Sequence, residues 1–359
     1  MYRASTCYVA ALSLLVLSGA VVFGQTRPEP QASLDHVMEQ LSAVRRFTEV
    51  AISPDGKRVA WVESLQEKNK APAPVSAISV LDLGSPSATA RRVTGGKGAM
   101  ARVEHDLAWS PDGSRLAFLS DREKPGQLQL HVVAAGGGSG RQVTNLTGSL
   151  ANPRWSPDGK VLALLFTENA PRAPGPLEPR TPDTGVIEEH VYEQRLVTVE
   201  LASGRVRHLS PPDLYVYEYD WSPDGKSFVA TAAHGAGDNN WYIAQLYTIV
   251  VASGDTQSIL TPSIQIAKPR WSPDGKRIAF IGGLMSDEPI TGGDIFVVPA
   301  TGGEPRNLTV GMRASASWLP ALGGTLFCQS VSRTWASVAP PKYGMHTARS
   351  PVSRFSWTE

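Results

Sequence analysis

Two short stretches come nearest to a catalytic motif. Gly137-Gly-Ser-Gly140 has the residue types of a nucleophile elbow, where a strained turn presents a serine hydroxyl for acyl transfer. Its spacing is wrong, and it sits in a hairpin turn. The run Gly136 to Gly140 leads into a strand rather than a helix, so it cradles no phosphate. Glu188-Glu-His190 has the residue types of a metalloprotease helix but lacks the second histidine at the required interval. The seven histidines are scattered, and none pairs with Cys or carboxylates at metal-ligand spacing. We therefore expect no catalytic residue, no metal and no cofactor in this chain.

Binding chemistry is left. The most irregular segment runs from Thr167 to about His190. It holds Pro171, Pro174, Pro176, Pro179 and Pro182 and ends in the adjacent carboxylates Glu188 and Glu189. Other long connections run from Glu63 to Val75, Ala233 to Trp241 and Gly282 to Gly293. Long loops on one face of a rigid scaffold usually carry binding. The plainer alternative is that loop length there costs little and is tolerated.

The scaffold behind these loops is a repeat. Ser-Pro-Asp-Gly occurs five times, first as Ser53-Pro54-Asp55-Gly56, then starting at Ser110, Ser156, Ser222 and Ser272. The later copies bring Asp112 and Gly113, Asp158 and Gly159, Asp224 and Gly225, and Asp274 and Gly275. Trp109, Trp155, Trp221 and Trp271 precede four of them, and Ile52 precedes the first. The intervals are 57, 46, 66 and 50 residues, the length of a propeller or solenoid unit. Proline presets the second turn position, aspartate suits the third, and glycine supplies the positive φ. The segments on either side are then two strands of a hairpin.

The run after each turn, for example Arg277-Ile-Ala-Phe-Ile281, shows no polar alternation and reads as a strand buried on both faces. A third apolar strand follows, then a Gly-rich turn and a short fourth strand ending in Val93-Thr94, Val143-Thr144, Leu209-Ser210, Leu260-Thr261 or Leu308-Thr309. Four antiparallel strands per unit specify an all-β fold, a β-propeller. Five blades are complete between residues 47 and 324. A sixth is partial: Trp318 follows Trp271 by 47 residues, but Ala321-Leu-Gly-Gly324 replaces the Asp-Gly turn. The ring is expected to be open or incompletely closed. The sequons at Asn145 and Asn307 coincide with fourth-strand ends, so repeat identity explains them. The helix expected before the first blade spans Leu34 to Val44.

The termini differ in kind. Residues 1–24 read as a signal peptide, with Arg3, an apolar run from Tyr8 to Phe23, and a small-residue cleavage site before Gln25. Residues 25–46 read as linker and short helix. The protein is then exported, periplasmic or secreted, with no membrane span after cleavage. Cys328 would be its single remaining cysteine, so no internal disulfide forms. Residues 325–359 read as an irregular tail: no acidic residue lies between Glu304 and Glu359, while six Lys or Arg do. Such a shift suggests truncation or a frame-shift after about Gly324. A net charge of +1 with 19% charged residues and no basic stripe argues against nucleic acid as a partner. A peptide or protein partner is the expectation, with self-association through open propeller edges.

Trp271 to Phe280, Trp-Ser-Pro-Asp-Gly-Lys-Arg-Ile-Ala-Phe, resembles the blade motif of TolB-like propellers. It equally resembles the N-terminal propellers of prolyl oligopeptidase-type serine peptidases. The opener from Leu41 to Trp61 and the stretch Asp238-Asn-Asn-Trp-Tyr-Ile-Ala-Gln-Leu-Tyr247 are similar to the acylaminoacyl- and dipeptidyl-peptidase branch. The resemblance covers about Leu41 to Pro320. It implies a propeller that restricts access to a separate α/β-hydrolase domain, which carries the triad and is absent from this chain. It also implies that Glu188 and Glu189 are candidates to anchor a substrate's amino terminus. On this reading the chain is not itself an enzyme. A free-standing TolB-like interaction scaffold and a propeller enzyme such as a polysaccharide lyase are the alternatives.

Overall fold

A computed structural model of the chain describes residues 46–65, 75–84, 87–94, 103–138, 140–170, 192–235, 238–285, 291–312, 314–319, 321–322, 325–332 and 352–356. The signal peptide, the helix expected at Leu34 to Val44, and Glu188 and Glu189 lie outside the described residues.

Each Ser-Pro-Asp-Gly copy forms the same hydrogen-bonded turn. In the first, the Gly56 amide donates to the Ser53 carbonyl at 2.8 Å. The Ser53 hydroxyl donates to Asp55 Oδ1 at 2.5 Å and accepts from the Arg58 amide at 2.9 Å. The Lys57 amide donates to the same carboxylate at 3.1 Å. These bonds hold the Asp55, Asp158, Asp224 and Asp274 carboxyls below the usual carboxylate range, with the serine hydroxyl the largest cause. The turn glycines have φ of 65 to 70°, a conformation that a β-branched residue adopts only under strain. Around Gly275 no atom lies within 4 Å of where a Cβ would sit, so a side chain there meets strain and no clash. Gly275→Val is expected to lower unfolding free energy by about 1–3 kcal/mol, and Gly159→Val by a similar amount. Urea denaturation midpoints check this, and an unchanged midpoint in either variant refutes it.

The turns join strands into sheets of one pattern. The first sheet contains β1 (Arg46–Ile52), β2 (Arg58–Leu65), β3 (Val75–Asp82) and β4 (Arg91–Arg92). The second contains β5 (Glu104–Trp109), β6 (Arg115–Ser120), β7 (Gln129–Ala134) and β8 (Arg141–Gln142). The third contains β9 (Gly148–Trp155), β10 (Val161–Glu168), β11 (Gln194–Glu200) and β12 (Val206–His208). The fourth contains β13 (Leu214–Trp221), β14 (Ser227–His234), β15 (Gln245–Val250) and β16 (Thr256–Leu260), and a 3-10 helix at Asp238–Ile243 links its middle strands. The fifth contains β17 (Gln265–Trp271), β18 (Arg277–Gly283), β19 (Asp294–Pro299) and β20 (Arg306–Asn307). All five are four-stranded antiparallel meanders in chain order. The protein is a β-propeller.

The sixth sheet departs from the pattern. Both β21 (Ala314–Trp318) and β22 (Ala321–Leu322) pair with β23 (Thr325–Ser332), which also pairs with β24 (Val352–Ser356). Strands β23 and β24 lie in the stretch read from sequence as an irregular tail. Neither carries the repeat motif, and β24 is brought to β23 only by long-range pairing. Among the described residues no strand from the N-terminal end enters this sheet, so the sheets are not closed into a ring.

The core is a series of wedges between blades. Leu116 and Phe118 pack with Val62 and Val80 of the first blade, and Leu162 and Leu164 pack with Leu119 and Leu130 of the second. The second strands β6, β10, β14 and β18 are buried almost throughout, as their unalternating sequences imply. The hydroxyl ending the fourth strand latches the third: Thr94, Thr144, Ser210 and Thr309 accept from the amides of Ile78, Leu130, Leu196 and Ile295 at 2.8 to 3.0 Å. In the fifth blade the sequon residue Asn307 bonds Asp294 and the Thr309 amide, a structural role for that motif.

Candidate functional site

The first strands of neighbouring sheets touch one another, β1 with β5, β5 with β9 and β13 with β17. Their opposite edges carry the short fourth strands. The first strands are therefore the inner wall of the propeller, where a threading ligand would meet the protein.

The motif tryptophans tie this wall together. Trp109 Nε1 donates to the Ala51 carbonyl at 3.1 Å, Trp155 Nε1 to Ala108 at 2.9 Å, and Trp221 Nε1 to Arg154 at 3.1 Å. Each bond reaches back to the preceding blade, at the residue just before that blade's own motif position. The guanidinium of Arg115 lies over the Trp155 ring at 4.6 Å. Among the described residues the indole nitrogen of Trp271 is buried without a hydrogen bond. There Asp220 Oδ2 accepts from the Trp271 main-chain amide instead, at 3.1 Å.

The first strands also carry bulges, and the residue three before each motif position is polar: Glu49, Asp106, Asn152, Glu218 and Lys268. Asp106, Asn152 and Lys268 have φ of 52 to 58°. A bulge frees a backbone amide from the ladder, and the preceding blade's carboxylate takes it. Glu49 accepts from the Leu107 amide at 2.7 Å, Asp106 accepts from the Asn152 amide at 2.8 Å, and Glu218 accepts from the Lys268 amide. Glu218 also pairs with the Lys268 ammonium. The Tyr219 hydroxyl donates to the Asn152 carbonyl, and burial raises its pKa. Sequence reasoning missed this set, although its fixed offset from the tryptophans was readable.

The charges divide into two arcs. Blades one and two contribute Glu49, His105 and Asp106. Burial raises the Glu49 pKa, against the pull of its amide bond. Burial opposes charging of both His105 and Asp106, yet their mutual contact at 3.3 Å wins. The histidine pKa is raised and the aspartate pKa lowered. Because the folded-state pKa of His105 lies above its unfolded value, its stabilisation is complete below about pH 6.5. It is lost as pH rises through the folded pKa. We expect His105 to titrate above free histidine by NMR and Asp106→Asn to bring it down; an unmoved pKa counts against the contact.

Blades three to five contribute Arg154, Glu218, Asp220, Lys268 and Arg270. Arg154 pairs with Asp220 Oδ1 at 3.2 Å and lies over the Tyr219 ring. Burial and the proximity of Arg154 lower the Arg270 pKa to about 10. Among the described residues no group of three or more His, Cys, Asp or Glu side chains is placed to hold a metal, and no helix is long and apolar enough to cross a membrane. A groove of about 560 Å³ between blades three and four lies at the turn end, beside Asp158, Trp221 and Arg207. Its lining includes none of the bulge residues, and Arg207 is committed to the Ala252 carbonyl at 2.8 Å.

No family model matches the chain. Among curated proteins it is 28% identical over 214 residues to the uncharacterized peptidase YuxL of Bacillus subtilis, covering 54% of this chain and 30% of that protein. It is 29% identical over 195 residues to dipeptidyl-peptidase 5 of Porphyromonas endodontalis, covering 53% of this chain and 26% of that protein. Its relatives are peptidases. The chain spans less than a third of the length of these two. Among solved structures, acylaminoacyl peptidase of Pyrococcus horikoshii superposes with a TM-score of 0.56 at 14% identity, covering 81% of this chain and 44% of that one. The β-propeller domain of the Trilobed protease from Pyrococcus furiosus, described as having an open velcro topology, gives 0.54 at 13% identity, covering 80% and 79%. Oligogalacturonate lyase in complex with manganese gives 0.52 at 17% identity, covering 79% and 70%. These likenesses show the fold, a β-propeller.

Proposed function

We propose that the chain supplies the β-propeller of a prolyl-oligopeptidase-type serine peptidase and selects the peptides that reach a catalytic centre. The observation that carries this reading is the similarity to YuxL and dipeptidyl-peptidase 5, which extends over about half of the chain. The charged inner wall supports it, since an extended peptide offers termini and amides to such groups. The chain itself is non-catalytic on this reading, so a fluorophosphonate probe is expected to leave every serine unlabelled; stoichiometric labelling of one overturns that part. The main test is photo-crosslinking. Short unstructured peptides carrying a photoreactive residue should label β5, β9, β13 or β17. Labelling confined to outer strands, or tight binding of folded proteins in place of peptides, would favour an interaction scaffold instead.

The proposal extends to location and assembly. The apolar run from Tyr8 to Phe23 is read as an export signal, so the mature protein should begin at Gln25, as mass spectrometry of the exported chain would reveal. The open ring leaves the first blade's outer face for a partner or a second copy, and size-exclusion chromatography with light scattering tests self-association.

A further inference from the structure

Among the described residues of blades three to five, charge pairing leaves Arg270 without an ion pair. Lys268 is taken by Glu218. Arg154 is taken by Asp220 Oδ1, and the other oxygen of Asp220 accepts from the Trp271 amide. Asp220, so engaged, makes no hydrogen bond to Arg270, its neighbour across the blade junction, among the described residues, although its charge favours the cation. Among the described residues the one hydrogen bond of the Arg270 guanidinium runs to the carbonyl of the adjacent Pro269, at 2.7 Å. Arg270 is only partly buried, so its remaining N–H groups are open to a ligand. It occupies the residue just before the motif tryptophan, as Arg154 and Asp220 do.

We infer that Arg270, backed by Arg154, is a receptor for a carboxylate presented along the inner wall. A guanidinium binds a carboxylate through paired N–H donors in one plane. The nearby Arg154 adds attraction for an anion and repels a cation. Burial of Arg270 and the opposition of Arg154 already work against its charged state, and an incoming carboxylate relieves that cost. The ligand class is a peptide bearing a free C-terminal carboxylate or an acidic side chain, which rests on the peptide-selecting reading above.

The test uses the whole chain and three versions of one short N-acetylated peptide: free acid, C-terminal amide, and amide with an internal aspartate. Isothermal calorimetry should show the free acid binding about 10- to 100-fold more tightly than the plain amide. The internal-aspartate amide identifies the source: recovery of affinity assigns an acidic side chain, and no recovery assigns the C-terminus. Arg270→Gln should abolish the acid preference, and Arg270→Lys should keep part of it. The wild-type Arg270 Nε–H resonance, followed by NMR, should shift with the free acid and not with the amide, whatever the folding of the variants. Equal binding of acid and amide overturns the inference and leaves the peptide-selecting reading intact. Absence of binding by all three overturns both.

Discussion

Replacing Trp155 by alanine is expected to destabilise the protein by about 3–5 kcal/mol, the usual cost of removing a buried aromatic. Trp155 is 7% exposed. It packs between the second and third blades, under the Arg115 guanidinium and against the Ala108 carbonyl. Trp155→Phe keeps most of the wedge but orphans that carbonyl, so about 1–2 kcal/mol should be lost. The corresponding residue of the first blade gives the contrast. Ile52 is 65% exposed, and Ile52→Ala should change stability by under about 0.5 kcal/mol. Equilibrium denaturation of the three variants decides the matter. A large loss on Ile52→Ala would mean that a blade covers that face and the ring closes in solution.

The second large effect is expected from Arg122→Met. Arg122 Nη2 lies 2.6 Å from Glu104 Oε1, and the Glu104 side chain is wholly buried. The Thr94 hydroxyl donates to the other carboxylate oxygen, and the guanidinium stacks on Phe118. Removing the arginine leaves a buried carboxylate without its counter-charge, at a cost of about 3–5 kcal/mol. Adding Glu104→Gln to the same protein removes the orphaned charge and should recover part of the loss. A double variant no more stable than Arg122→Met would show that packing of the arginine, and not its charge, carries the effect.

The residues that specify the fold were readable because they act locally. Asp274 and Gly275 build their turn from bonds within five residues, and the hydroxyl of Thr309 latches a strand fourteen residues back. What could not be read depends on the neighbouring blade. Glu49 bonds an amide 58 residues away, and only the assembled wall shows that Asp220 pairs with Arg154 while Arg270 has no ion pair among the described residues. Strand β24 was missed for the same reason, since its partner β23 fixes it and its own sequence carries no blade motif. The expected binding pair Glu188 and Glu189 lies in the Pro-rich insertion, outside the described residues. The 3-10 helix at Asp238–Ile243 was read as a long connection because a six-residue helix leaves no periodicity to detect.

The indole bonds all run one way. Trp109, Trp155 and Trp221 each reach back to a carbonyl synthesised 47 to 67 residues earlier, and none waits for a blade still to come. A chain leaving the ribosome at about 5–20 residues per second therefore finishes a blade every few seconds and finds its docking partner already made. Among the described residues no blade precedes the first, and Ile52 stands there in place of tryptophan. The indole bonds can therefore form blade by blade in chain order. A circular permutant beginning at the third blade would reverse that order at one junction and should refold from denaturant more readily than it matures during synthesis.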